Sequence, residues 1–431
     1  MLSVSAALES LRGCLSDEFP ASSGTRIFDV SFPLHDAFDP LLWFGRQPQW
    51  PQFYWQQRSG DEELAALGAV KTFSSLAEAQ RFLQHQQHQD LRICGLNAFS
   101  PQVGALVLPR LEWRRVGGTA SLRLVLCSAT SLREDARAAR EFLRTLTAEQ
   151  AQPAAIPVVL SEQHFPEYPR WRELILQATR AIAAGEMEKV VLARATDVRF
   201  AAPLDAWSIM AASRRSNFNC FHFLMAFNPQ QAFFGSTPER LWRRRGTLLR
   251  TEALAGTVAG HADDRQARAL ADWLMQDDKN QRENMLVVED ICQRMQGEAQ
   301  MLEVLPPQVV RLRKVQHLRR CIWTELNSSD DARCLRQLQP TAAVAGLPRR
   351  AALDFISQNE PFTREWYAGS AGYLSLAQSE FCVALRSAKV ENDTLRLYAG
   401  AGIVSGSEPE QEWQEIENKA AGLRSLLLRK M

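Results

Sequence analysis

Between Arg26 and Cys127 the chain is divided into short runs of alternating or continuous apolar residues, broken by turn formers. Runs of this length and period read as strands of a sheet with at least one buried face. They fall at 26–32, 51–58, 64–73, 91–99, 105–114 and 120–127. The last two are joined across Gly117-Gly118, which predicts a hairpin and an antiparallel arrangement. Helical spacing interrupts them at 1–20, at 75–87 with Leu76, Ala79 and Phe82 three apart, and at 132–146. This part carries no motif for chemistry.

The chain has 431 residues, more than one small core requires. A net charge of +1 gives no electrostatic footprint for nucleic acid. The eight cysteines form no Cys-x-x-Cys pair and read as reduced thiols of a cytoplasmic protein. The histidines lack zinc-ligand spacing. The first twenty residues lack the basic and apolar regions of a signal peptide, and no apolar run of about 18 residues predicts a membrane span. Residues 147–169, rich in Ala, Gln and Pro, predict a linker or long surface crossing.

Chemistry-bearing residues concentrate beyond that boundary. A helix over 171–184 ends at Gly185, expected just past its C-terminus. Lys189 then heads an apolar strand, with Val191 and Ala193 on its face. Such a lysine is either an edge charge that reaches water or a desolvated amine able to act as a base, and the strand pattern leaves both open. Glu239 follows Pro238 in an expected tight turn over 235–241, where a glutamate is ordinarily solvated. Residues 263–295 predict one long helix with Lys279, Glu283 and Asp290 near one face. His317 sits among apolar residues, and Arg386 ends an expected strand over 381–387.

Near the end, a glycine-rich turn at Gly400-Ala-Gly402 is expected to lead into a helix capped by Ser407 and Glu410. Trp413, Ile416, Ala420, Leu423 and Leu427 form its buried stripe, while Glu412, Glu415 and Lys419 share a neighbouring stripe. Carboxylates at the margin of a core can hold a hard cation such as Mg2+, and glycine amides can meet an anion. The stretch taken alone favours a charged surface helix after a flexible turn, since acidic helix starts suit the macrodipole.

Gly400-Ala-Gly-Ile, Ser407-Glu-Pro-Glu-Gln-Glu-Trp-Gln-Glu415 and Lys419 resemble the end of the chorismate-utilising enzymes, which include anthranilate, aminodeoxychorismate, salicylate and isochorismate synthases. Further matches run in order through Lys189, Ser236-Thr-Pro-Glu239, Gly256-Thr257, Lys279-Asn-Gln-Arg-Glu-Asn284, Gln316-His-Leu318, Gln339-Pro-Thr341, Arg364-Glu-Trp-Tyr-Ala-Gly369 and Arg386. The chain departs from the family pattern at Asn280, Asn284 and Gln339. At Ala255 it lacks the lysine of the aminodeoxychorismate branch. The run 51–58 looks closest to the menaquinone-pathway isochorismate synthases.

The resemblance implies an α/β (α+β) fold of the anthranilate synthase component I type, with two β-sheets packed face to face, helices outside and the active site in the cleft. Residues 1–155 would be the family-variable part and 156–431 the chorismate-binding catalytic part, together one integrated unit. It implies Mg2+-dependent isomerisation of chorismate to isochorismate, by water addition at C2 and loss of the C4 hydroxyl. Alternatives are a salicylate synthase that also eliminates pyruvate, a siderophore-pathway isochorismate synthase, and a non-catalytic chorismate-binding protein.

In this reading Lys189 is the base and Glu239 the acid. Such a lysine needs its pKa brought down from about 10.4, and such a glutamate needs to be raised from about 4.3. Glu283 and Glu415 ligate Mg2+, with Glu412 in the same shell and Lys279 orienting it. Arg386, Tyr367 and the amides at Gly400 and Gly402 hold the enolpyruvyl carboxylate. His317, Thr341, Lys419, Gly256 and Thr257 are further substrate contacts. No nucleic acid, membrane or glutaminase subunit is expected as a partner, and the location is expected to be cytoplasmic.

Overall fold

The computed structural model describes residues 4–15, 18–33 and 38–427. Every strand pairing among them is antiparallel. The expected hairpin across Gly117-Gly118 is present, with Val116 opposite Thr119.

The long strand Gly104–Val116 is a branch point. Its later residues pair with Thr119–Ser128 on one side, and most of its length pairs with Glu62–Phe73 on the other. From there one arm continues through Gln52–Gln56, Phe221–Asn228, Gln231–Thr237, Ser387–Glu391, Thr394–Ile403 and Lys189–Phe200. Its first residues pair with Ile93–Asn97. That strand starts a second arm through Ser370–Leu374, Gln378–Val383, Arg240–Arg245, Leu248–Ala259 and Val315–Leu326.

The two arms face each other across one apolar core. Phe53, Trp55 and Phe223 enter it from the first arm, and Trp242, Tyr373 and Phe381 from the second. The Trp55 and Tyr373 rings meet edge to face at 5.4 Å. Burying an aromatic or large aliphatic side chain contributes about 1.5–3 kcal/mol, so this layer is a main source of stability.

Helices cover the outer faces, which explains why the strand runs are more apolar than simple alternation requires. Tyr54 points away from Phe53 and Trp55 yet is also fully buried, in a second core beneath helices Pro40–Gly45, Leu132–Arg144 and Ala206–Ser216. A third core lies under Tyr168–Ala183, Arg349–Asn359 and Pro409–Leu427, against the back of the Lys189 strand. No helix among the described residues is long and apolar enough to cross a membrane.

Several sequence expectations are corrected. The expected linker contains a strand, Val159–Phe165, paired with the end of Lys189–Phe200. The long helix over 263–295 is two helices, Asp264–Gln276 and Asp278–Met295, because the Asp277 carboxylate accepts the Asn280 N–H and caps a new start. The capping box is not formed. The last helix begins at Pro409, the Ser407 hydroxyl accepts the Val404 N–H, and Glu410 binds the Tyr168 hydroxyl. The first helix spans Val4–Cys14; residues 1–3 and 16–17 of its expected range lie outside the described residues.

Candidate active site

A cavity of about 680 Å³, counting space open to solvent, lies at the strand ends of both arms. Glu239, Gly256, Thr257, Glu283, His317, Tyr367, Arg386, Gly400, Gly402 and Lys419 all line it.

Glu239 is not a solvated turn residue. Only 2% of it is exposed, because it lies between Gln231–Thr237 in one arm and Arg240–Arg245 in the other. Its carbonyl accepts the Val383 N–H at 3.0 Å. Burial, reinforced by the nearby Glu252 carboxylate, pushes its pKa up to about 8, against the pull of Lys189, Lys419 and Arg386. Glu239 is therefore largely protonated at neutral pH, as a proton donor must be.

Lys189 is 1% exposed, so the edge-charge alternative is excluded. Its Nζ donates to Glu283 Oε1 at 2.9 Å. Burial opposes ionisation of Glu283, but Lys189, then Lys419 and Lys279, outweigh it and hold the pKa below the ordinary carboxylate value. On the neighbouring helix Lys419 pairs with Glu415 at 2.6 Å and donates to the Gly400 carbonyl at 2.9 Å. Glu412 is buried, and burial plus the Glu415 charge raise its pKa to about 7.

Among the described residues no three His, Cys, Asp or Glu side chains converge into a ready metal cluster. The donor chemistry nevertheless suits a hard divalent cation. Glu283 and Glu415 each hold an ammonium group against their oxygens, and Glu412 is raised toward protonation by a like charge. Carboxylate oxygens are the ligands that such a cation takes.

Gly400 and Gly402 do not form a turn; they lie in the strand Thr394–Ile403, opposite Ala193 and Val191. The Ala193 N–H donates to Glu360 and the Val191 N–H to the Ala345 carbonyl, both away from the Gly400 strand. These are thus the non-hydrogen-bonded pairs of the ladder, and the N–H groups of Gly400 and Gly402 turn away from the Lys189 strand. Among the described residues that edge has no strand partner here, since Ser387–Glu391 reaches only as far as Leu397. Two amides remain available to an anion, from extended backbone and not from a nest.

Arg386 is also displaced from its expected strand. It sits between Gln378–Val383 and Ser387–Glu391 with φ of +46°. Its guanidinium donates to His317 Nε2. Because arginine only donates, Nε2 must accept, leaving the proton on Nδ1, which faces Thr257 Oγ1 at 3.0 Å. Burial and the Arg386 charge push the His317 pKa well below its ordinary value, so the ring is a neutral linker between Thr257 and Arg386. Tyr367 is buried and stacks on Tyr398 at 5.0 Å.

Lys189, Glu412 and Glu415 do not themselves line the cavity, though Lys189 and Glu415 contact Glu283 and Lys419, which do. Two further expected contacts are less direct. Thr341 is buried but is not among the residues that line the cavity, and Lys279 is exposed at the start of its helix. The departures from the family pattern take structural positions. Asn280 Oδ1 accepts the Thr257 N–H and fixes the turn at Gly256. Asn284 Nδ2 donates to the carbonyls of Ala253, Ala255 and Leu318, tying its helix to the sheet. Sequence reasoning missed Arg58 and Glu252, although a charged residue inside the apolar run 251–257 was a visible signal.

Residues 97–428 match the family described as chorismate binding enzyme, and the chain belongs to that family. It is 65% identical over 428 residues to isochorismate synthase MenF of Escherichia coli, covering 99% of both chains. It is 41% identical to isochorismate synthase MenF of Pasteurella multocida over 91% of each. The solved structure of the menaquinone-specific isochorismate synthase MenF from Escherichia coli aligns with a TM-score of 0.97 at 65% identity, covering 99% of this chain and 100% of that one. Anthranilate synthase component I from Streptococcus pneumoniae aligns with a TM-score of 0.65 at 19% identity over 98% and 97% of the chains, a likeness of fold alone.

Proposed function

We infer that this chain is an isochorismate synthase that interconverts chorismate and isochorismate and feeds menaquinone biosynthesis. The observation that carries this reading is 65% identity along essentially the whole length of an isochorismate synthase of that pathway. A buried carboxylic acid and a buried lysine near the same cavity support the chemistry.

In the proposed mechanism, Lys189 removes a proton from the water that adds at C2. Glu239 gives its proton to the C4 hydroxyl as that group leaves, and the ring double bonds shift between the two positions. Arg386 and the amides of Gly400 and Gly402 hold the enolpyruvyl carboxylate, with Tyr367 and the Thr257–His317 pair fixing Arg386 and the wall around it. Glu283, Glu415 and Glu412 are the residues that would hold Mg2+. When bound, the cation would supply positive charge for the ring carboxylate. The Nζ of Lys189 lies 2.9 Å from Glu283 Oε1, so a cation held by Glu283 would compete with that ion pair.

Incubation with chorismate and Mg2+, followed by chromatography, tests the reading. Isochorismate without stoichiometric pyruvate is expected; salicylate with pyruvate would replace this function with salicylate synthesis, and no turnover would leave a binding protein. We also propose that 1–155 and 156–431 fold as one unit. Gln52–Gln56 pairs with Phe221–Asn228, and Ile93–Asn97 with Ser370–Leu374. A chain beginning at residue 156 is expected to show no cooperative thermal transition.

A further inference from the structure

Arg58 lies in the turn after Gln52–Gln56, far from Glu239 in sequence, yet reaches its backbone. Its Nη1 donates to the Pro238 carbonyl at 2.7 Å. The same guanidinium grips Glu252 with two bonds, 2.5 Å to Oε1 and 2.7 Å to Oε2. Glu252 Oε1 in turn accepts the Arg240 N–H at 2.8 Å. Glu252 is fully buried and stands in Leu248–Ala259, a strand of the second arm. Both residues flanking Glu239 are thus held by one ion pair, through the carbonyl before it and the amide after it.

We propose that Arg58 and Glu252 are positioning residues for the proton donor: the pair clamps the backbone on both sides of Glu239 and keeps a fixed negative charge near its carboxyl. The proposal rests on reading Glu239 as the acid. Neither residue lines the cavity, so neither is assigned a contact with substrate.

The electrostatics agree with the geometry. Burial opposes ionisation of Glu252, but Arg58 and then Arg240 outweigh it and keep its pKa below the ordinary value. Glu252 is therefore an anion throughout the working range. After burial it is the strongest influence raising Glu239, whereas Lys189, Lys419 and Arg386 act in the opposite direction from the facing elements. Neutralising Glu252 leaves those three cations unopposed. Glu239 then ionises at lower pH, and the fraction of enzyme carrying a transferable proton falls. Arg58 also stacks over Phe221, its guanidinium carbon 5.5 Å from the ring centroid, which fixes the fork that lysine cannot reproduce.

The test compares kcat and KM for chorismate across pH 6–10 in the full-length enzyme and in Glu239→Gln, Glu252→Gln and Arg58→Lys, with thermal melts alongside. Glu252→Gln is expected to shift the alkaline limb of kcat downward by about one pH unit, with KM within about twofold. Arg58→Lys keeps the charge but loses the fork, and is expected to lose about tenfold in kcat. A folded Glu252→Gln enzyme with the parent pH profile overturns the proposal. If Glu252→Gln does not fold, Arg58→Lys decides alone, and unchanged kcat overturns it. Retained activity in Glu239→Gln would instead sink the acid assignment, which separates the two failures.

Discussion

Glu239 and Glu283 face the same cavity but are held in opposite charge states. Glu239 is buried at the junction of the two sheet arms, with another carboxylate as its most influential charged neighbour, and its pKa rises to about 8. Glu283 projects from the helix Asp278–Met295 toward Lys189, with Lys419 and Lys279 near it, and its pKa is lowered. One residue type is thus held as a neutral acid on one wall and as an anion on the other. The difference comes from what the fold packs beside each side chain: burial and a like charge favour the neutral acid at Glu239, and nearby ammonium groups favour the anion at Glu283.

The largest effect is expected where the proton-transfer groups are removed. Lys189→Ala and Glu239→Gln should each lower kcat by about 10²–10⁴-fold while chorismate binding changes little. Isothermal titration with chorismate measures the binding, and full activity in either variant removes that residue from catalysis. Glu239→Gln should also reveal the cost of keeping the acid. Its folded pKa lies above its unfolded value, so its contribution is fully present below about 4.5 and is lost as pH rises through about 8. The variant should therefore melt higher than the parent at pH 8 and not at pH 4.5. The gain is on the order of a few kcal/mol at most. The parent's kcat should fall above about pH 8 as the acid ionises.

The opposite wall is probed through its response to cation. Glu283→Gln is expected to lose activity together with Mg2+ dependence, and Glu412→Gln to weaken apparent Mg2+ affinity by about 10–100-fold. Mn2+ binding followed by electron paramagnetic resonance gives a readout independent of turnover. If Glu283→Gln binds Mn2+ like the parent, the contrast between the two glutamates is not one of acid and ligand.

Much of this arrangement is legible in the chain because it is local. The hairpin at Gly117-Gly118 and the stripe through Trp413, Ile416, Ala420, Leu423 and Leu427 follow from period and turn chemistry; four of the five stripe residues are buried and Trp413 is half-buried. The order of the motifs identified Lys189 and Glu239, but not their surroundings. The burial of Glu239 depends on the second arm closing over it, which no local pattern encodes. Arg58 meets Pro238 across 180 positions and Glu252 across 194. Local propensity also misled at Gly400–Gly402. Glycine favours turns, but pairing with Val191–Ala193 makes this stretch a strand, and the glycines serve to leave space.

That space sets the smallest expected effect. A Cβ at Gly402 would lie 2.9 Å from Glu283 Oε1 and 3.0 Å from Lys189 Cε. Both atoms are at the ends of flexible side chains, so Gly402→Ala should fold normally and move the Lys189–Glu283 pair. A loss of about tenfold in kcat is expected, with a melting temperature close to the parent. At Gly400 the added Cβ would meet Tyr367 Oη at 2.8 Å, on a ring buried against Tyr398. Gly400→Ala should instead raise KM, because it crowds the carboxylate end of the cavity and leaves the base untouched. Steady-state kinetics on the two alanine variants separate the effects. If both variants change KM alone, Gly402 does not set the position of the base, and the lysine wall tolerates the displacement.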